Sequence, residues 1–192
     1  MPPRVKITQE NIIKTAVELV RMHGAQALNA RAVAAALNCS TQPIFSNFAS
    51  MDDLLAATVG AAYGVYQDFI KRELESGKYP QYKAFGMAYI RFAKEEKELF
   101  KLLFMCDTTR QSFTPTQDFD ASVSMIMRMN GMDKATAELL HLEMWVCVHG
   151  IATIHATSFL SLEWDLVERM LTDVYQGIRA RLLTGGADDG CH

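Results

Sequence analysis

Apolar residues recur at helical spacing along nearly the whole chain, and the breaks between those runs divide it into helices. Ile12, Ala16, Leu19 and Val20 mark one face of a first helix over 8–23, with Thr8 as its cap and Gly24 as its stop. Val33, Ala34 and Leu37 mark a short Ala-rich helix opened by Asn29, whose side-chain oxygen can accept from the first-turn N–H groups. Asn38, Cys39 and Ser40 break that run. Ser40 or Thr41 can cap a third helix of about two turns, with Pro43 in its first turn, where a missing N–H costs little. Ile44, Phe45 and Phe48 are its packing residues, and Gln42, Ser46 and Asn47 face outward. Ser50 opens a long fourth helix to residue 75, with Asp52 and Asp53 placed to suit the helix dipole.

The second half repeats the pattern. Pro80 opens a fifth helix carrying Phe85, Tyr89 and Phe92 at i, i+4 and i+7. A sixth, over 95–105, holds Leu99, Phe100, Leu102, Leu103 and Phe104. A polar stretch over 107–117 follows. A seventh helix, over 118–129, carries Val123, Met125, Ile126, Met127 and Met129, and Gly131 ends it. Asp133 opens a long apolar helix to about 158, and a last helix runs over 162–183. The arm 1–6 and the tail 185–192 lack the pattern, and the tail is expected to be disordered.

Composition adds that β-branched residues are sparse while Ala, Leu and Met abound, which favours an all-α chain of about nine helices. At 49% hydrophobic and 21% charged residues, the 192-residue chain has ample core. No apolar run reaches the roughly 18 residues that span a bilayer, and the start lacks an apolar leader core. Cys39, Cys106, Cys147 and Cys191 show no pairing pattern, which fits a reducing cytoplasm. The net charge of −3 is unevenly spread. Arg4, Lys6, Lys14, Arg21 and Arg31 outnumber Glu10 and Glu18 in residues 1–50, while the remainder is acidic. A positive end of this kind suits a phosphate backbone. A short polar-faced helix held against an Ala-rich partner is what major-groove reading requires.

Residues 7–57 resemble the DNA-binding domain of the TetR/AcrR family of transcriptional regulators. The resemblance is carried, in order, by Ile12-Ile13-x-x-Ala16-x-x-Leu19, His23-Gly24, Leu28-Asn29-x-Arg31-x-Val33-Ala34-x-x-Leu37, Ser40-Thr41-x-x-Ile44-Phe45-x-Asn47-Phe48, and Ser50-x-Asp52-Asp53-Leu54-Leu55. The chain departs from the family at Gln42-Pro43, at Phe45 and Asn47 in place of Tyr and His, and at Met51 in place of Lys. Trp145-x-x-x-His149-Gly150 resembles the Trp-His-Gly signature of one C-terminal subfamily. The resemblance implies an N-terminal three-helix helix-turn-helix DNA-binding domain (1–50), a linking helix (51–76) and a C-terminal helical bundle for ligand binding and dimerisation (77–184). It also implies a homodimer through the last two helices on a palindromic operator, and a small-molecule effector that releases a repressor; the apolar composition of the candidate pocket favours an apolar or aromatic effector. An activator of the same fold and a ligand sensor with impaired DNA binding are the alternatives.

Gln42 is expected to read a base edge, since its amide can pair bidentately with adenine. Pro43 and Phe45 suit a thymine methyl group, with core packing as the alternative for Phe45. Asn29, Arg31, Thr41 and Asn47 are the expected phosphate contacts, with Lys6 in the arm. Phe85, Tyr89, Phe92, Phe104, Met125, Met129, Trp145 and His149 are the expected effector-lining residues, core packing being the alternative for each.

Enzyme classes find no support. The sequence has no His-Glu-x-x-His, no Cys-x-x-Cys, no Gly-rich phosphate loop and no Gly-x-Ser-x-Gly. His141, His149 and His155 are spaced by eight and six, which does not gather three metal ligands from one helix. No catalytic residue, metal site, cofactor or membrane association is expected.

Overall fold

The computed structural model describes residues 7–105 and 116–184, except for the side chains of 116–118. The basic arm with Lys6, most of the polar stretch 107–117, Cys106, Cys191 and the expected disordered tail lie outside the described residues. Among the described residues the ordered elements are α1 (Gln9–His23), a 3-10 turn (Ala25–Ala27), α2 (Ala30–Ala36), α3 (Gln42–Asn47), α4 (Met51–Glu75), α5 (Gln81–Glu95), α6 (Lys97–Phe104), α7 (Thr116–Asn130), α8 (Lys134–Ala156) and α9 (Trp164–Thr184). The fold is all-α, as the periodicity predicts.

Local chemistry sets the helix ends. The Thr8 hydroxyl accepts from the Asn11 N–H at 3.2 Å, and the Asn11 side chain reaches back to the Thr8 backbone N–H, closing a capping box. Ser50 accepts from the Asp53 N–H at 3.1 Å and Asp133 from the Thr136 N–H at 3.0 Å. Gly24, at φ +81°, turns the chain out of α1; a Cβ there would come within 2.7 Å of the Gln26 amide and 2.9 Å of a Glu98 carboxylate oxygen.

Two compact units form, and neither is one continuous stretch of chain. Among the described residues, the first gathers 7–68 together with 95–105, and the second gathers 69–94 with 116–184. The partition expected from chain order places α6 with the C-terminal helices, whereas in the packing α6 lies on α1. An ion pair joins them: Arg21 Nε donates to Glu96 at 2.7 Å, and the same guanidinium meets Glu18. Those two carboxylates hold the Arg21 guanidinium above its usual range. Arg21, counted above with the positive end, is therefore neutralised locally.

In the second unit α8 packs on both α7 and α9. Gly86 lets α5 come close to both long helices, since a Cβ there would lie 3.3 Å from Val148 and 3.7 Å from Leu171. Arg181 clamps Glu143 with two contacts of 2.6 and 2.7 Å. Glu73, at the end of α4, is buried against Arg91, whose guanidinium also covers the Trp164 ring at 4.4 Å. By length and composition α8 alone among the described helices is apolar enough to cross a membrane, although the raw sequence gives no such run. Ala137, Leu140, Met144, Ile151 and Ala152 are buried inside the unit, while Leu139, Leu142, Trp145 and Val146 are exposed.

Candidate nucleic-acid interface

The helix-turn-helix stands on a core of Ile12, Ala16, Val33, Ala34, Ile44, Phe48 and Leu54, contributed by α1 to α4. The turn between α2 and α3 is fixed by backbone bonds. The Cys39 N–H donates to Ala34 at 2.9 Å and the Asn38 N–H to Ala35 at 3.1 Å, with Asn38 at φ +52°. This is a Schellman stop in which Asn supplies the left-handed residue that is more often Gly. Thr41 takes the N-cap position of α3, but its backbone is helical (φ −71°, ψ −14°) and its side chain makes no cap bond. The expected Ser40 or Thr41 cap is thus absent, because side-chain capping needs an extended residue there.

The structure sorts the expected DNA-contact residues. Phe48 is buried at 5% exposure and Ile44 at 1%, while Phe45 is 51% exposed. Phe45 is thus an outward residue of α3 and not part of its packing face. Gln42 is exposed, and its side-chain amide makes no hydrogen bond among the described residues. Ser46 and Asn47 each give one donor to the helix itself: Ser46 Oγ donates to the Gln42 carbonyl at 2.9 Å and Asn47 Nδ2 to the Pro43 carbonyl at 2.7 Å. Asn29 is likewise committed, with Oδ1 accepting from the Ala32 N–H at 2.9 Å and Nδ2 donating to the Ala27 carbonyl at 3.1 Å. Its capping role is met through Oδ1, and one Nδ2 hydrogen goes to the backbone. Arg31 is exposed on α2 with no ion pair among the described residues; Thr41 and Pro43 are half-buried.

The expected effector-lining residues do not form one surface. Phe92 is fully buried and its ring packs edge-on to Phe69, with centroids 5.4 Å apart. Tyr89 and Met125 are buried, Phe85 is half-buried, and Met129 is exposed. Phe104 belongs to the first unit, where it packs on Tyr66 and Phe100. Three of the set do come together. Tyr89 Oη and His149 Nδ1 are 2.9 Å apart, and the Trp145 ring stacks on His149 at 5.1 Å and 12°. A parallel pair, not foreseen, joins Tyr82 Oη to His141 Nδ1 at 2.9 Å, with the Phe119 ring against His141. The only signal for it in the sequence is that Tyr82 and Tyr89 are seven apart on α5 while His141 and His149 are eight apart on α8.

Burial pushes both tyrosine hydroxyls up and both imidazoles below their usual value near 6.5. A depressed folded value means that the unfolded chain takes the proton more readily. The stability held above pH 6.5 is then lost as pH falls through the depressed values. The melting temperature is expected to drop between about pH 7 and pH 5, and His141→Gln is expected to flatten part of that drop. Parallel pH profiles for the two proteins would refute this.

Comparison with known proteins divides the chain in sequence order, not by the packing units. A family model described as bacterial regulatory proteins, tetR family, matches residues 12–58, and one described as Tetracyclin repressor-like, C-terminal domain, matches residues 82–174. The narrower Trp-His-Gly grouping is not specifically supported by these matches. No curated protein sequence matches the chain. Among solved structures, a TetR-like transcriptional regulator from Rhodococcus sp. RHA1 superposes with a TM-score of 0.64 at 16% identity, covering 96% of this chain and 99% of that one. The fatty acid degradation regulator FadR from Bacillus halodurans superposes with a TM-score of 0.57 at 12% identity, covering 95% and 98%. With a helix-turn-helix at one end, a helical bundle at the other, and both family models matched in order, the chain belongs to the TetR family of DNA-binding transcriptional regulators.

Proposed function

We propose that the protein is a homodimeric repressor that leaves a palindromic operator when a small apolar or aromatic molecule binds its C-terminal unit. The observation that carries the reading is the outward face of α3. A buried Ile44 and Phe48 hold the short helix on its core, while Gln42 and Phe45 stand out from it. Such a helix fits the major groove. Arg31 and Thr41 are the proposed phosphate contacts, and Lys6 joins them from the arm. Asn29 and Asn47 are proposed to act by holding the two helices in shape.

Dimerisation is proposed through α8 and α9. Leu139, Leu142 and Val146 lie at i, i+3 and i+7 on α8 and are all exposed, a contiguous apolar stripe that a soluble monomer rarely leaves open. An isologous pair about a two-fold axis would cover it and match a palindrome. Tyr89, Trp145 and His149 are the proposed effector contacts, with Phe85, Phe92 and Met125 behind them. Release is proposed as a population shift toward a form with misspaced recognition helices. The helix α4 runs from the first unit into the second and is the proposed carrier.

The test is an anisotropy titration against the DNA upstream of the protein's own gene, at fixed salt with random competitor. Competitor-resistant binding supports the reading; equal, salt-sensitive binding to both DNAs argues against it. Arg31→Ala is expected to weaken all sequences alike and to reduce the slope of log K against log salt by about one per subunit. An unchanged slope would remove Arg31 from the phosphate contacts.

A further inference from the structure

We infer that Glu96 is a positioning residue for operator binding: through Arg21 it fixes the direction of α1, and so the setting of α3 against the DNA. Arg21, although one of the cations that make residues 1–50 positive, is then a socket for Glu96 and not a phosphate contact. The inference rests on the operator-binding reading above and deepens it.

Glu96 stands where α5 ends and α6 begins, just after the chain returns to the first unit. A residue needed only to start a helix is usually Ser, Thr, Asp or Asn, bonding the first-turn N–H groups. Glu96 does not do this: its backbone (φ −119°, ψ 54°) is not extended and its side chain makes no cap bond. Its carboxylate, only 17% exposed, instead accepts from Arg21 Nε at 2.7 Å, across 75 residues of sequence. Arg21 Nη1 meets Glu18 on its own helix, so two edges of the guanidinium are held at once. Two carboxylates outweigh one guanidinium, and the cluster offers a phosphate no net attraction. A charge-assisted contact to a guanidinium fork has a fixed direction. Apolar burial has none, and Leu99, Phe100, Leu102 and Leu103 seat α6 by burial. The ion pair supplies the register that burial leaves open. From Arg21, α1 runs back to Ala16 and Ile12, which share a core with Ile44 of α3 and with Phe48 after it. A tilt of about 5° at Arg21, over the roughly 14 Å of helix to Ile12, moves that end by about 1 Å. In a two-fold dimer both heads move alike, while the half-sites keep a fixed separation. A head held by Glu96 therefore discriminates spacing, and a loosened head tolerates error in it.

In vitro selection with the full-length protein supplies the operator. The probes are that duplex, versions with one base pair added or removed between the half-sites, and a single half-site, all titrated at one salt and well below the lowest melting temperature of the set. The wild-type protein is expected to lose about a hundredfold in affinity at the altered spacings. Glu96→Gln is expected to lose only about tenfold there, relative to its own affinity for the intact operator. It is expected to bind that operator several-fold more weakly than wild type, and the single half-site equally well. A folding defect would weaken the half-site too and leave the spacing ratio alone. Arg21→Glu is expected to lose the spacing preference as well. The double variant Arg21→Glu/Glu96→Arg, which again sets one guanidinium against two carboxylates, is expected to regain most of it. A wild-type spacing ratio in Glu96→Gln would overturn the inference while leaving operator binding intact. So would a loss at the single half-site in Arg21→Glu that the second change does not restore, since Arg21 would then touch the DNA itself. Selection that enriches no sequence, or a wild-type protein indifferent to spacing, would overturn the homodimeric repressor reading and this inference with it.

Discussion

Phe48→Ala is expected to cost about 3–5 kcal/mol of folding stability, whereas Phe45→Ala is expected to cost less than about 1 kcal/mol. The two residues lie three apart at one short helix, and their chemistry is identical. What differs is that Phe48 fills the centre of the helix-turn-helix core with Ile12, Val33, Ile44 and Leu54, while Phe45 is half in water. A loss of that size is a large share of the 5–15 kcal/mol that stabilises a typical domain. Operator binding is expected to vanish with Phe48→Ala because α3 loses its seat. In Phe45→Ala the helix stays and only sequence preference changes. Thermal melting with circular dichroism, run beside operator titration, checks both. Similar melting temperatures for the two variants would refute the assignment of inner and outer faces.

Val146→Glu is expected to convert the proposed dimer into a monomer and to lower operator affinity by about two orders of magnitude or more. A pair of linked reading units owes 10²–10⁴ in affinity to binding together. Val146 is 60% exposed, so a carboxylate there costs the isolated chain little. At a two-fold interface the same change brings two like charges onto an apolar patch. Sedimentation and light scattering report the mass, and anisotropy reports the affinity. A variant that remains dimeric with unchanged affinity would place the interface elsewhere.

Much of this was legible in the sequence, and the residues show why. Thr8, Asn29, Ser50 and Asp133 announced their helices because capping is local, set within three residues. The inner face of α3 was half legible: Ile44 and Phe48 are inside, but Phe45 is out, since spacing over six residues cannot fix which third of a short helix is buried. The commitment of Asn29 and Asn47 to nearby carbonyls was missed because an amide suits a phosphate or a backbone oxygen equally well. The Tyr82–His141 and Tyr89–His149 pairs join residues 59 and 60 apart in sequence, and no local pattern reports a contact at that separation. The placement of α6 was hidden for the same reason. Its stripe of Leu99, Phe100, Leu102 and Leu103 says that it is buried but not against what.

That placement bears on how regulators of this build can be recombined. The chain passes from one compact unit to the other after residue 68, back after 94, and across again between 105 and 116. A chimera made with a single cut near residue 76 would graft a foreign α6 onto α1 and strand Arg21 without its Glu96 partner. A working hybrid has to inherit 7–68 and 95–105 from the same parent. The specificity head and the segment that braces it are therefore one heritable cassette, written in two pieces of the gene.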